Sequence, residues 1–251
     1  MTTNIIEMEN VSHQFSDGTI GVSDINLRIR SGELVVLAGP NGSGKTTLLR
    51  HLNGLLLPHH GHVRIDGIET GKNGSPVRRR VGMVFQDADC QIVGETVYDD
   101  IAFGPQNLRL DHAHITRRVG SAIKAVGLDH LADQRPHLLS GGEKRRLAIA
   151  GVLAMAPAVL LMDEPFSNLD YPGIQQVLEL IIRLHTEGHT IIVATHDLEK
   201  IITHADRLIV LADGKIALDG LPEGVIAEVE AFGVRAPCAV RFGVKTESWL
   251  K

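Results

Sequence analysis

Short apolar runs alternate with segments of helical spacing along most of this chain. Four runs are long enough to form buried strands: Leu34 to Ala38, Val81 to Phe85, Val159 to Met162 and Ile191 to Ala194. Strands that alternate with helices in this way are typical of a mostly parallel sheet with helices on its faces. The pattern therefore predicts an α/β fold.

The N-terminal region follows a different pattern. Apolar and polar positions alternate over residues 5 to 11 and 19 to 29, as in Ile25-Asn26-Leu27-Arg28-Ile29. A period of two indicates strands with one exposed face. We therefore expect a small antiparallel β flank beside the main sheet.

Strand patterns stop between about residues 88 and 153. The segments Ile115 to Val126 and Glu143 to Leu153 have helical spacing, and Pro105 and Pro136 punctuate this part of the chain. The pattern predicts a helical lobe inserted between two strands of the sheet.

Composition limits the possible partners. Among 251 residues, 43% are hydrophobic and 22% charged, which is typical of a globular protein. With 25 basic and 30 acidic residues the net charge is −5, so no basic field favours nucleic acid or anionic lipid. Cys90 and Cys238 are far apart and indicate no disulfide framework.

Nothing in the sequence predicts secretion or a membrane span. Residues Met1 to Ile6 lack a basic region followed by an apolar core. The longest uncharged stretch, Leu147 to Met162, contains Gly151 and Pro157 and is shorter than the roughly 20 residues that a spanning helix needs. A role at a membrane would require docking onto a membrane partner.

A phosphate-binding loop follows the first buried strand. It has the pattern G-x-x-x-x-G-K-[ST] and consists of Gly39, Pro40, Asn41, Gly42, Ser43, Gly44, Lys45 and Thr46. Glycines let successive N–H groups turn toward one point, and the helix that follows adds the partial positive charge of its N-terminus. Lys45 would reach the β- and γ-phosphates, and Thr46 would offer a hydroxyl to Mg²⁺. Thr47, the next residue, is also expected to contact nucleotide. The structural alternative is a glycine-rich turn before a helix.

Polar side chains follow each of the other buried strands. Gln86 comes after the second, Asp163 and Glu164 after the third, and Thr195 with His196 after the fourth. Ligands of parallel α/β sheets bind beyond the carboxyl ends of the strands. These residues are therefore expected at one edge, together with the phosphate loop.

Each of these side chains has a chemical role and a plainer alternative. Asp163 would bind the Mg²⁺ shared with the nucleotide, and Glu164 would position the attacking water. Gln86 could reach either the Mg²⁺ or the attacking water, and His196 could bind the γ-phosphate. The plainer alternatives are that Asp163 and Glu164 form a solvated acidic turn, that Gln86 is an ordinary turn residue, and that His196 is a surface or structural histidine.

A capped helix start lies at residues 139 to 143. Ser140 and Glu143 stand three apart, as in a capping box that opens the helix Glu143 to Leu153. The segment Leu139, Ser140, Gly141, Gly142 and Glu143 could also receive an anion on its bare N–H groups.

Together these motifs resemble the ATP-binding cassette (ABC) ATPases over nearly the whole chain. Gln86 is similar to their Q-loop, residues 139–143 to their signature, Val159 to Glu164 to their Walker B motif, Ser167 to Asp170 to their D-loop, and His196 to their switch histidine. Residues 39 to 46 resemble their Walker A loop. Phe15 stands where the family stacks an aromatic ring, often Tyr, on adenine.

The resemblance implies a fold and an assembly. The fold would be a P-loop NTPase (RecA-like) with a nucleotide-binding core at 1–87 and 154–220, a helical signature subdomain at 88–153, and a C-terminal helix and tail at 221–251. In the family, two subunits sandwich two ATPs, and the signature of one closes over ATP held by the other. A homodimer with ATP and Mg²⁺ is the expected working unit, and Asp170 would lie in its D-loop.

Within the family, residues 97–108 resemble the energy-coupling factor (ECF) ATPases, which power uptake of vitamins and of cobalt or nickel ions. Residues 86–91 do so as well, except that Ala88 stands where that subgroup commonly has Pro. The resemblance implies a transmembrane partner that docks near Gln86 to Asn107, at the cytoplasmic face of the membrane.

Other features have weaker interpretations. The sequence Arg78-Arg79-Arg80 is interpreted as a solvated approach to a strand. His59-His60-Gly61-His62 is placed in a turn and is not expected to bind metal, because a fourth ligand is missing. Three alternatives to an ECF ATPase remain open: a soluble ABC ATPase that is not coupled to transport, an ATPase of another ABC importer class, and a phosphoryl transferase that uses only the P-loop.

Overall fold

The computed structural model describes residues 3–71 and 75–250. Residues 1, 2, 72–74 and 251 of the predicted domain lie outside the described residues. Residues 1 and 2 also belong to the N-terminal stretch that the sequence predicts is not a secretion signal. No helix in the described ranges is long and apolar enough to cross a membrane.

The main sheet has six strands. They are β3 (Leu34–Ala38), β6 (Val81–Val84), β7 (Val159–Asp163), β8 (Thr190–Thr195), β9 (Arg207–Ala212) and β10 (Lys215–Gly220), in the order β10-β9-β3-β8-β7-β6. Only β10 pairs antiparallel with its neighbour; the other pairs are parallel. The predicted α/β sheet is confirmed, with Phe85 just beyond β6.

The apolar runs are continuous because both faces of this sheet are covered. Along β3, Leu34 and Val36 pack into one core with the helices, while Val35 and Leu37 pack into a second core. That second core lies against α1 (Lys45–Leu52) and a smaller sheet.

The smaller sheet is the predicted β flank. It consists of β1 (Asn4–Gln14), β2 (Ile20–Arg30), β4 (His60–Ile65) and β5 (Ile68–Glu69), in the order β2-β1-β4-β5, and every pair is antiparallel. In β2, Ile25, Leu27 and Ile29 are buried and the residues between them are exposed. The alternation read from the sequence is therefore confirmed.

Helices fill the region between β6 and β7. After the one-turn α2 (Ser75–Arg78) and β6 come α3 (Val97–Asn107), α4 (His112–Ala125) and α5 (Gly141–Leu153), which pack on one another. Their N-caps are Thr96, Asp111 and Ser140, and each side chain accepts a backbone N–H of the first turn. Asp170 caps α6 (Tyr171–Thr186) in the same way.

The end of the described chain contains only short helical turns. These are α7 (Pro222–Val225), a 3₁₀ turn at Val229–Phe232 and α8 (Cys238–Arg241). The segment packs back on the core, where the Trp249 carbonyl accepts a hydrogen bond from Gln175 Nε2 at 3.1 Å and the Trp249 ring lies 5.7 Å from that of Tyr171.

The prediction that His59 to His62 form a turn is wrong in part. His60 and His62 belong to β4, where they pair with Ser12 and Glu9 of β1. The backbone hydrogen bonds of the flank hold these histidines extended. In the described part of the chain, no group of three or more His, Cys, Asp or Glu side chains could hold a metal ion.

Candidate nucleotide-binding site

The phosphate loop runs from the end of β3 to the first turn of α1. Gly44 has φ of 104°, and a Cβ there would lie 2.4 Å from the carbonyl oxygen of Gly21. Only glycine can occupy this position, because any side chain would clash with backbone. The end of the loop therefore packs directly against the backbone of β2.

Lys45 is folded back across the loop. Its Nζ donates to the carbonyl oxygens of Gly39 at 2.7 Å and Pro40 at 3.0 Å, and the residue is only 7% exposed. Burial lowers the pKa of Lys45, and the carboxylates of Glu164 and Asp163 oppose that shift. The ammonium group therefore lies in the field of both acids.

Thr46 and Asp163 bring two oxygen atoms together. Thr46 Oγ1 donates to Asp163 Oδ2 at 2.8 Å, across 117 positions of sequence. Burial raises the pKa of Asp163, whereas the hydrogen bond from Thr46 lowers it. The carboxylate is 5% exposed, so a cation beside it would relieve the cost of its burial.

Glu164 is held by three hydrogen bonds from the end of β8. Its carboxylate accepts from Thr195 Oγ1 at 3.1 Å, from the His196 backbone N–H at 3.0 Å and from His196 Nδ1 at 2.8 Å. Glu164 has φ of 48°, in the left-handed region, which costs a non-glycine residue about 1–2 kcal/mol. The chain turns sharply here and aims the carboxylate along the edge of the sheet.

A cavity of about 340 Å³ brings most of the predicted residues together. Its lining includes Phe15, Asn41, Gly42, Gly44, Lys45, Thr46, Thr47, Gln86, Asp163, Glu164 and His196. The loop residues Gly39, Pro40 and Ser43 are not part of its lining. Residues of all four motifs therefore line one cavity at the carboxyl ends of the strands.

Three lining residues were missed by the sequence argument. Thr19, Ile20 and Gly21 line the cavity from the β1–β2 hairpin. The alternation in this region predicts a strand and carries no sign of a cavity wall. Only the position of Phe15, a few residues earlier, could have drawn attention to the hairpin.

The donor set fits a nucleoside triphosphate with Mg²⁺. A hydroxyl and a carboxylate oxygen meet at Thr46 and Asp163, and hard oxygen ligands are those that Mg²⁺ prefers. Gly42 and Gly44 have positive φ, a conformation that lets the loop turn its N–H groups toward an anion, and Lys45 supplies a buried positive charge.

The segment at the start of α5 lies elsewhere. Ser140 and Glu143 form the predicted capping box: Ser140 Oγ accepts from the Glu143 N–H at 3.3 Å, and the Glu143 carboxylate accepts from the Ser140 N–H at 2.8 Å. The Glu143 carboxylate also accepts from the Ser140 hydroxyl, and the two hydrogen bonds that it accepts from Ser140 lower the pKa of Glu143. No residue of Leu139 to Glu143 lines the cavity that contains Lys45.

The capped start of α5 adjoins the start of α6. A Cβ at Gly142 would lie 3.3 Å from the Cα of Gly173, and a Cβ at Gly141 would lie 3.7 Å from the carbonyl oxygen of Asn168. Asp170 Oδ1 accepts from the Gly173 N–H at 3.0 Å. The residues of the predicted signature and D-loop therefore form one surface of the chain.

Comparison with known proteins agrees with this geometry. The family described as "ABC transporter" matches residues 22–167. The energy-coupling factor transporter ATP-binding protein EcfA of Methanocaldococcus jannaschii is 44% identical over 229 residues, which cover 90% of this chain and 82% of that protein.

Solved structures are similar over most of the chain. The structure of cbiO1 from Clostridium perfringens, part of the ABC transporter complex cbiONQ, has a TM-score of 0.83 and 39% identity, covering 91% of this chain and 92% of that one. A dimeric ATP-binding cassette in a post-hydrolysis state with ADP and Pi has a TM-score of 0.77 and 29% identity, covering 86% and 98%.

Proposed function

This chain belongs to the ABC transporter family as an ATPase of the energy-coupling factor type, and we propose that it powers the uptake of a micronutrient, either cobalt or nickel ion or a vitamin such as biotin. One observation carries the ATPase part of this proposal: Lys45, at the end of the loop after β3, lines one cavity with Glu164 and His196, which follow β7 and β8. ATP hydrolysis there would drive a membrane partner.

The hydrolytic roles follow from the hydrogen bonds. Lys45 binds the β- and γ-phosphates when its Nζ leaves the loop carbonyls, and the loop N–H groups receive the remaining phosphate oxygens. Glu164 orients the attacking water, because Thr195 and His196 fix its carboxylate at the cavity that Lys45 also lines. His196 binds the γ-phosphate through its second ring nitrogen.

Thr46, Gln86 and Asp163 would hold Mg²⁺. When bound, the ion neutralises charge on the β- and γ-phosphate oxygens. The chain itself holds Thr46 Oγ1 and Asp163 Oδ2 2.8 Å apart, and the position of this pair limits where the β- and γ-phosphates can lie.

We propose that the working unit is a dimer, with a homodimer favoured. Leu139 to Glu143 lie outside the cavity of their own chain, so a second copy would bring this capped helix start over the nucleotide. Asp170, on the same surface, would lie at the dimer interface. The dimeric cassette with ADP and Pi supports a dimer.

The membrane partner would dock on the helical lobe. A cavity of about 400 Å³ is lined by Gln91, Val93, Phe103, Gly104 and Met155, among others. Val93 and Phe103 are 61% and 51% exposed and line the same cavity, and exposed apolar side chains that lie together mark interaction sites. We place a transmembrane partner here, near Gln86 to Asn107, and with it this chain at the cytoplasmic face of the membrane. The relative that is part of cbiONQ supports a multi-subunit complex.

We retain the proposed division of the chain. Residues 1–87 and 154–220 form the core, 88–153 the helical subdomain and 221–251 the C-terminal part. The described elements support these limits, since β6 and β7 enclose the helices α3 to α5.

The experiment is reconstitution of the chain with its copurified membrane proteins in liposomes. Co²⁺, Ni²⁺ and biotin are each added outside the vesicles in separate experiments. Uptake of each solute into the vesicles is measured with ATP either inside or outside. Uptake of one solute that requires ATP and is lost in Glu164→Gln would support the proposal. Rapid hydrolysis by a chain that copurifies with no membrane protein would favour a soluble ABC ATPase instead.

A further inference from the structure

Three imidazole rings pack on one another beside Phe15, and this cluster is named the stack after its one stacked pair, His13 and His59. His13 lies at its centre, with ring centroids 4.9 Å from Phe15 (interplanar angle 75°), 4.9 Å from His51 (72°) and 4.7 Å from His59 (22°). Edge-to-face and stacked arrangements at these distances are favourable for aromatic rings. The rings come from β1, α1 and the residue before β4, so the stack joins three elements.

Hydrogen bonds to backbone fix each imidazole. His13 Nδ1 donates to the Leu57 carbonyl at 3.1 Å, and His51 Nδ1 donates to the Thr47 carbonyl at 2.7 Å. His59 Nδ1 accepts the N–H of Gln14 at 3.2 Å. The carbonyl and N–H partners assign these roles, because a carbonyl can only accept and an N–H can only donate.

The stack is buried at its inner end and open at its outer end. His51 is fully buried and His13 is 9% exposed, whereas His13, His59 and Phe15 line a cavity of about 890 Å³. This cavity shares Phe15 and Ile20 with the phosphate cavity. Phe15 therefore stands between the histidines and the place where a nucleotide base would lie.

The Phe15 ring has little freedom on its other side. A Cβ at Gly21 would lie 2.9 Å from Phe15 Cε2 and 2.8 Å from Thr47 Cγ2. The ring thus lies between Gly21 of β2 and the His13 ring, which it meets at 75°. An aromatic ring that must stack on a base gains affinity when its orientation is fixed in advance.

We propose that His13 is a positioning residue for the nucleotide base: supported by His59 and His51, it holds Phe15 in the orientation that stacks on adenine. The inference rests on the proposed function and on the further proposal that Phe15, which lines the phosphate cavity at the position where the family stacks an aromatic ring, stacks on the base of ATP. His13 does not touch the nucleotide. Its effect reaches the base only through the Phe15 ring, and the phosphates bind independently of it.

The test compares a ligand that has a base with one that has none. Equilibrium binding of ATP and of inorganic triphosphate is measured for the full chain without Mg²⁺, and KM and kcat for ATP are measured with it. His13→Ala is expected to weaken ATP binding about 3- to 10-fold, the value of one aromatic contact. Its affinity for inorganic triphosphate and its kcat should stay within about two-fold of wild type.

Two further variants isolate the mechanism. His13→Phe keeps an aromatic edge against Phe15 and should restore most of the ATP affinity. In the double variant His13→Ala with Phe15→Ala, ATP should bind no more weakly than to Phe15→Ala alone, because the histidine acts through that ring. His62→Ala is the matched control, since His62 is exposed and bonded to Glu69 outside the stack.

Each result decides the proposal. Equal loss of ATP and triphosphate affinity in His13→Ala would show a general structural role and overturn it, as would wild-type ATP binding in His13→Ala or additive losses in the double variant. If His13→Ala does not fold, His59→Ala is compared in the same way. Absence of ATP binding and hydrolysis in the wild-type chain would instead overturn the proposed function, and is recognised before any variant is made.

Discussion

Arg145 donates hydrogen bonds from α5 to the loop that follows β6: its guanidinium lies 2.6 Å from the carbonyl oxygen of Gln86, and 2.5 Å from that of Phe85. Arg145 is only 3% exposed, and burial lowers its pKa. The helix capped by Ser140 is thereby joined to Gln86, which lines the nucleotide cavity.

Replacement of Arg145 by Met keeps an apolar stem and removes both donors. We expect a loss of about 1–3 kcal/mol in the free energy of unfolding, because two carbonyls lose a charged partner. ATP hydrolysis should slow as well, since Gln86 is no longer held. Denaturant unfolding and steady-state ATPase assays measure the two effects.

Arg146→Met is the matched control. Arg146 NH1 donates to the carbonyls of Val126 and Gly127, on a loop far in sequence from Gln86. It should lower stability without slowing hydrolysis by the folded protein. Equal loss of hydrolysis in both variants would contradict the specific link between Arg145 and Gln86.

Glu164→Gln tests the proposed role of the carboxylate. The amide retains an oxygen that can accept from Thr195, but it can no longer orient and polarise water as a carboxylate does. We expect kcat to fall by about 10²-fold or more while ATP still binds, so that a dimer accumulates with ATP. Size-exclusion chromatography with ATP and a phosphate-release assay follow the change. Hydrolysis at the wild-type rate would rule out this role for Glu164.

A mixed dimer tests whether each site needs two chains. One chain carries Ser140→Arg and the other Lys45→Ala, so that one composite site combines an intact phosphate loop with an intact capped helix. About half of the sandwiched ATP should remain if sites form between chains, and none should remain in either variant alone. Complete loss in the mixed dimer would exclude this architecture, and tandem affinity tags isolate the mixed species.

Much of this fold can be predicted because its main sheet is covered on both faces. Burial on both faces produces continuous apolar runs, which locate β3, β6, β7 and β8 within one or two residues. Their parallel order then places Gln86, Glu164 and His196 at one edge. The capping box at Ser140 is equally readable, since it depends on side chains three residues apart.

Contacts between distant segments leave no such pattern. His13, His51 and His59 meet only because β1, α1 and β4 pack together, and no periodicity relates these positions. The sequence suggested a turn around His59, and it gave no reason to connect that residue with Phe15. Arg145 is a further example, because its partners are backbone carbonyls and carry no residue-specific signal.

The pH dependence of stability follows from His51. Burial, with the nearby His13 and His59, lowers the pKa of His51 below its ordinary value of 6.5. Below pH 6.5 the unfolded chain therefore binds a proton that the folded chain excludes, and the free energy of unfolding falls as the pH falls, by at most about 1.4 kcal/mol per pH unit for one proton. His51→Gln should flatten this slope between about pH 7 and 5, whatever its stability at neutral pH. Urea unfolding at several pH values measures the slope, and an unchanged slope in the variant would show that His51 does not cause it. Burial also lowers the pKa of His204, so part of the slope should remain in His51→Gln and should decrease further when His204 is replaced as well.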